Sequence, residues 1–199
     1  MHIVHLIRRI PQKIKAGIKL NIFRENCIMG NNVTVSANAN CSKESLAKII
    51  IGNNCDICCN LIAKGEAILE VGHHTTIRGE TIVGAYQSIK IGNYVIISNS
   101  VRIYDNNNHP TSPKKRMQMC STGNFYSDDW NWCHSDCKPI IIEDNVWIGE
   151  RSTILKGVKI GKGSIIASNT VVTKDVPPFS VVAGNPGKVV KVLENDLED

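Results

Sequence analysis

Few residues in this chain combine a reactive side chain with a suggestive setting. His109 is the foremost, in the run Asn106-Asn107-Asn108-His109-Pro110. Imidazole titrates near neutrality, so its neutral form can act as a general base. Asp105 and Glu143 are carboxylates that could fix the tautomer of such a ring. Of the other histidines, His2 and His5 belong to the N-terminal segment, while His73 and His74 form a pair. His134 stands between Trp132 and Asp136, where it lines a site or sits solvated on a loop. Cys55, Cys58 and Cys59, with Cys133 and Cys137, resemble metal half-sites, but a structural zinc site needs a second paired half, so no metal is expected. Cys41 and Cys55 fall where a repeat wants a small apolar residue.

The elements that carry these residues follow from composition and period. The chain has 199 residues, 42% hydrophobic and 21% charged, with a net charge of +5. That describes one folded domain and excludes disorder. No apolar run is long enough to cross a membrane. Arg8, Arg9, Pro11, Lys13 and Lys15 interrupt any secretory core, so a cytoplasmic location is expected. With eight cysteines in a chain neither small nor visibly secreted, a disulfide framework is not expected. The apolar residues include 28 Ile and 17 Val against 8 Leu, and there are 20 Asn and 15 Gly. β-Branched residues favour strands, and Asn and Gly favour turns, so the fold class is all-β with many corners.

The corners recur with a period of six. Ile142, Ile148, Ile154, Ile160, Ile166 and Val172 open six consecutive hexads, and the fifth place of each is small or β-branched. The same register appears upstream at Met29, Val35, Cys41; Ile51, Ile57, Ala63; Val71, Ile77, Val83; and Ile91, Ile97, Ile103. Three hexads make a triangular coil whose first residues point inward and stack on the next coil. The openings at Met29, Ile51, Val71 and Ile91 lie 22, 20 and 20 residues apart, so small insertions occupy one corner. Six coils at about 4.8 Å make a prism about 29 Å tall.

The hexads, the Asn-His-Pro run, Val146-Trp147-Ile148-Gly149, and Val172-Thr173-Lys174-Asp175-Val176-Pro177-Pro178 through Ala183-Gly184-Asn185-Pro186 resemble the hexapeptide-repeat acyltransferases. The likeness spans about residues 28–193 and is greatest to the branch that O-acetylates bacterial surface polysaccharides. The resemblance implies a left-handed parallel β-helix of about six coils, a homotrimer with active sites between subunits, and acetyl-CoA as acyl donor. It implies direct transfer to a sugar hydroxyl with His109 as general base, and it puts coenzyme A at Gly149, Ser168, Thr173, Lys174, Lys188 and Lys191. In galactoside and maltose acetyltransferases an Asn and an Asp one coil earlier hold the acceptor; here those places fall near Arg78 and Tyr86, which argues for a different acceptor. Trp132 and His134 are further acceptor candidates. An N-acetyltransferase of an amino sugar is the alternative, followed by a non-catalytic scaffold. A zinc carbonic anhydrase on the same fold needs two histidines five residues apart, and Lys114 stands where the second would be.

The chain divides into a basic N-terminal segment, 1–27, a β-helix, 28–178, and a C-terminal extension, 179–199. The first segment interleaves Arg8, Arg9, Lys13, Lys15, Lys19 and Arg24 with isoleucines at helical spacing. It reads as a cap over the open end of the coil, with contact to an anionic membrane surface as the alternative. It lacks base-stacking aromatics, so nucleic acid is not expected. The hexads stop over residues 106–139, an insertion expected to be an ordered functional loop, a flap packing its Trp residues on the prism, or both.

Overall fold

A computed structural model describes residues 11–196; His2, His5 and the start of the basic segment lie outside the described residues, as does the end of the acidic tail. Short parallel strands stack on three faces. The first face carries β1 (Ile28–Met29), β4 (Lys48–Ile51), β7 (Ile68–Val71), β10 (Ser88–Ile91), β13 (Ile140–Ile142) and β16 (Lys159–Ile160). The third carries β3 (Asn40–Lys43), β6 (Asn60–Ala63), β9 (Ile82–Ala85), β12 (Arg102–Tyr104), β15 (Thr153–Ile154) and β18 (Val171–Val172). The second is deeper: β2 (Thr34–Val35), β5 (Asp56–Ile57), β8 (Thr76–Ile77), β11 (Ile96–Ile97), β14 (Trp147–Ile148) and β17 (Ile165–Ile166) continue into β19 (Ser180–Ala183) and an antiparallel β20 (Lys188–Val192). The expected six coils are therefore six complete coils plus two further strands on one face.

The inward rows are those of the hexads. Val35, Ile57, Ile77, Ile97, Ile148, Ile166 and Val182 pair in register and are all buried. One place differs. Leu61, not Ala63, pairs with Cys41 and Val83, while Ala63 pairs with Lys43 and Ala85. The extra residues of the early coils form no loops. They lengthen the strands on both sides of the third corner, so each strand buries two residues: Leu61 and Ala63, then Leu69 and Val71. After the long insertion the strands of the first and third faces shorten to two or three residues, while those of the second face are two residues long on both sides of it.

The repeat's small fifth residue has a bonding reason. Thr75 Oγ1 donates to the Gly92 carbonyl at 2.8 Å, Cys55 Sγ to Gly72 at 3.0 Å, Ser152 to Ala167 at 2.9 Å and Ser164 to Pro177 at 2.8 Å. A short side chain with a donor satisfies a buried carbonyl of the next coil. At the first corner Asn32, Asn54, His74, Tyr94 and Asn145 all take φ between 55° and 58°. Asn tolerates this left-handed region; His74 and Tyr94 add a stacked ring pair at 4.9 Å.

Helix α1 (Gln12–Asn26) begins directly after Pro11 and lies on the first coil. Its anchor is Phe23, fully buried in the core, with Leu20 beside it. The isoleucine row does not supply the buried face, for Ile14 is 54% and Ile18 48% exposed.

Close stacking forbids side chains at some backbone positions. A Cβ on Gly72 would lie 2.5 Å from the Gly92 carbonyl oxygen, whereas one on Gly79 would meet nothing nearer than 3.8 Å. Gly72→Ala is expected to lower stability by about 1–3 kcal/mol, as overpacking does. Gly79→Ala should be near neutral. Denaturant unfolding of both variants checks the pair.

Candidate active site

The long insertion leaves the prism at the third corner, and its neck is built from backbone bonds. Lys138 N–H donates to the Asp105 carbonyl at 2.8 Å, and Gly157 N–H, one coil on, donates to Lys138 at 3.0 Å. Asp105 is fully buried. Its carboxylate accepts from Tyr86 N–H at 2.8 Å, Gln87 N–H at 2.7 Å and Asn106 Nδ2 at 3.1 Å. It is therefore a brace between coils and does not face the His109 ring. Glu143 is engaged elsewhere, with Lys159 Nζ at 2.7 Å and Lys162 N–H at 2.8 Å.

The asparagine run holds the chain that presents His109. Asn106 Oδ1 accepts from Asn108 N–H at 2.8 Å, closing a turn in which Asn108 takes φ 62°. Asn107 N–H donates to the Asp136 carbonyl at 3.1 Å, and Thr111 Oγ1 reaches the Asp136 carboxylate at 3.3 Å. Beyond His109, Arg116 donates to the carbonyls of Pro110, at 2.9 Å, and Thr111, at 2.6 Å. Arg116 belongs to α2 (Pro113–Ser121), a helix opened by Ser112, whose hydroxyl accepts from Lys115 N–H. The expected ordered insertion thus carries a helix that the hexad pattern does not signal.

His109 is exposed. Its ring meets Trp130 edge to face, with centroids 5.6 Å apart and planes at 90°, and Phe125 packs on Trp130 at 5.1 Å. Trp130 Nε1 is buried without a hydrogen-bond partner. The result is an imidazole with an open side and an aromatic wall. Trp130 and Phe125 were not singled out as site residues, because the contact with His109 spans the folded loop and leaves no trace in local spacing.

The other expected positions spread along the third face and its edges. Trp132, only 9% exposed, packs edge to face on Tyr104 at 5.8 Å and under Lys64 Nζ at 4.8 Å, so it lies against the third face of the prism. Tyr86 lies at the third corner below the loop, against Gly65. His134 is exposed and lines a cavity of about 140 Å³ with Pro110, Lys115, Met119 and Asp129. Arg78 sits at the second corner, the opposite edge of the face, paired with Asp56 at 3.2 Å. Within one chain it does not join His109.

Thr173 and Lys174 are exposed at the third corner, two coils from the loop neck, about 10 Å along the axis. Gly149 and Ser168 adjoin at the second corner, where a Cβ on Gly149 would lie 2.6 Å from Ser168 N. Lys188 pairs with Ala183 and Lys191 with Val181 in the β19–β20 ribbon. Among the described residues none of the three lysines is ion-paired, which suits them to phosphates. No group of three or more His, Cys, Asp or Glu among the described residues is placed to hold a metal.

Residues 139–174 match the bacterial transferase hexapeptide family (six repeats). A Vibrio cholerae hexapeptide-repeat acetyltransferase solved with acetyl coenzyme A is 28% identical, with a TM-score of 0.59 over 92% of this chain and 87% of that one. Segment 139–174 thus carries the repeat of that family, and over most of its length the chain is similar to solved hexapeptide-repeat acetyltransferases. Among solved members, the polySia-specific acetyltransferase NeuO is 26% identical, with a TM-score of 0.58 over 85% of this chain and 84% of that one. A 2,3,4,5-tetrahydropyridine-2,6-dicarboxylate N-acetyltransferase of Clostridium perfringens is 52% identical over 61 residues, 31% of this chain and 26% of that protein. This hexapeptide-repeat chain thus matches about a third or less of the length of such curated relatives.

Burial raises the Asp105 carboxyl above its ordinary range, against the lowering effect of Asn106 and the Tyr86 and Gln87 amides. A raised carboxyl favours the fold while protonated and loses that contribution as pH rises through its folded value, so mild acid does not open this corner through Asp105. Removing the side chain does. Asp105→Ala leaves the part-buried Tyr86 and Gln87 N–H groups without this acceptor and is expected to cost about 1–3 kcal/mol. Amide exchange at Tyr86 and Gln87 should accelerate, and exchange measured residue by residue checks it.

Proposed function

We propose that the protein is an acetyl-CoA-dependent O-acetyltransferase acting on a sugar hydroxyl of a surface polysaccharide or its precursor. The observation that carries this reading is His109, exposed beside the Trp130–Phe125 wall, at the same corner of a hexapeptide-repeat prism as Thr173 and Lys174. The solved relatives named for acetyl transfer, one of them with acetyl coenzyme A bound, support it.

In this reading coenzyme A lies along the late coils, its pantetheine arm extended beside the strand edges and its phosphates among Lys174, Lys188 and Lys191. Gly149 and Ser168 offer a second edge where the absence of a Cβ lets an extended chain approach the backbone. The neutral His109 ring removes the hydroxyl proton as the acceptor oxygen attacks the thioester carbonyl, and returns it to the departing thiolate. Phe125 and Trp130 give the acceptor sugar an apolar surface, and His134, Tyr86 and, through Lys64, the Trp132 wall bound the same region.

His109→Ala is expected to lower acceptor-dependent thiol release by about 100- to 10,000-fold, the usual contribution of a general base. Coenzyme A affinity should stay near wild type. Thiol release measured with hydroxyl sugars, amino sugars and surface glycans checks both points. A preference for amines would transfer the reading to N-acetylation, which the Clostridium perfringens relative favours.

We also infer that the protein acts as a homotrimer with each site between two subunits. Its support is the outward side of the second face and the corner before it, where Tyr94 is 60%, Ile96 53% and Trp147 49% exposed in a row. A contiguous apolar stripe of this kind marks an association surface. Trp147→Glu should shift the molar mass from light scattering toward a single chain and reduce activity with it.

A further inference from the structure

Of the eight cysteines, two are held against one another. Cys27 follows the last turn of α1, where its N–H donates to the Phe23 carbonyl at 2.7 Å. Cys41 lies in β3, in the inward row above Leu61. Their sulfurs are 3.1 Å apart, and both side chains are half-buried against the core. No other pair of sulfurs among the described residues makes such a contact: Cys55 donates to the Gly72 carbonyl and Cys58 faces Asp56. A disulfide needs the two sulfurs to close by only about 1 Å.

We propose that Cys27 and Cys41 are a reversible disulfide site that fastens α1 to the first coil, with small-molecule disulfides of the glutathione class as the oxidant. The two thiols are unequal. The hydrogen bond shared with Cys27 holds Cys41 below the ordinary thiol range, with Lys43 adding to it and burial opposing. The same shared bond, then burial, pushes Cys27 up. We assign the first attack to Cys41, which has Lys43 nearby, and the resolving step to Cys27.

The thiolate of Cys41 attacks one sulfur of the external disulfide, forming a mixed disulfide and expelling one small thiolate, which takes up a proton. The Cys27 thiol then loses its proton and attacks Cys41 Sγ, expelling the second. Two protein thiols and one small disulfide become one protein disulfide and two small thiols. The closed loop encloses β1 and β2 and ties Phe23, the anchor of the helix, to the stack it covers. In a reducing compartment the pair stays open. The effect is confined to the end of the prism far from His109, so its test does not depend on any acyl transfer.

The full chain is incubated with oxidised glutathione, unfolded, alkylated and mapped by peptide mass spectrometry. The expected result is a Cys27–Cys41 cross-linked peptide, reversed by dithiothreitol, with an apparent Tm several degrees above that of the reduced protein. Cys27→Ser should leave one glutathione on Cys41 and abolish the Tm difference. Both cysteines remaining alkylatable while exposed Cys120 and Cys133 are oxidised would overturn the proposal, as would a cross-link mapped to another pair. Equal Tm gains in wild type and Cys27→Ser would also overturn it.

Discussion

The whole molecule depends on coil-to-coil register. One coil cannot bury its own inward row, so Ile97 is buried only because Ile77 and Ile148 lie directly above and below it. The backbone bonds impose the same condition, since each strand satisfies its amides on the next coil. Extra residues must therefore enter where they leave the register intact. In this chain they enter at the third corner, first as lengthened strands and then as the whole 106–139 segment. The site is a consequence of that constraint: the corner that tolerates insertion is the corner that presents His109.

A side chain on a long loop needs more than an exit point to be held in place. Asp105 ties the corner to the coil below, and Asn106, Asn107 and Asp136 turn the departing chain back on itself. Arg116 then fixes the segment after His109 from the helix that follows. The ring is left exposed on one side and walled by Trp130 on another. Rigid support beneath and an open face above are what proton transfer to or from a bound substrate requires.

How far the sequence exposed this depends on how local each signal is. The six-residue period revealed the inward rows because it repeats through every coil, and four of the small fifth residues, Cys55, Thr75, Ser152 and Ser164, proved to be donors to carbonyls of the next coil. It placed Ala63 where Leu61 belongs, because the early coils bury two residues per strand and either fits the pattern. In α1 the isoleucine spacing pointed to the wrong stripe: a single Phe23 reaching the core outweighs Ile14 and Ile18 left in solvent. The partnership of His109 with Trp130, and the inward-facing role of Asp105, arise only when distant segments meet. The contact of Cys27 with Cys41 is of the same kind, joining a helix end to a strand.

We propose the third corner, between the loop neck and the last coil, as the reacting centre. A crystal structure of the protein with coenzyme A tests it most directly. The expected result is the pantetheine arm along the late coils, with its sulfur turned toward His109 and its phosphates among Lys174, Lys188 and Lys191. Coenzyme A bound on another face, with the sulfur remote from every His109 in the assembly, would contradict it.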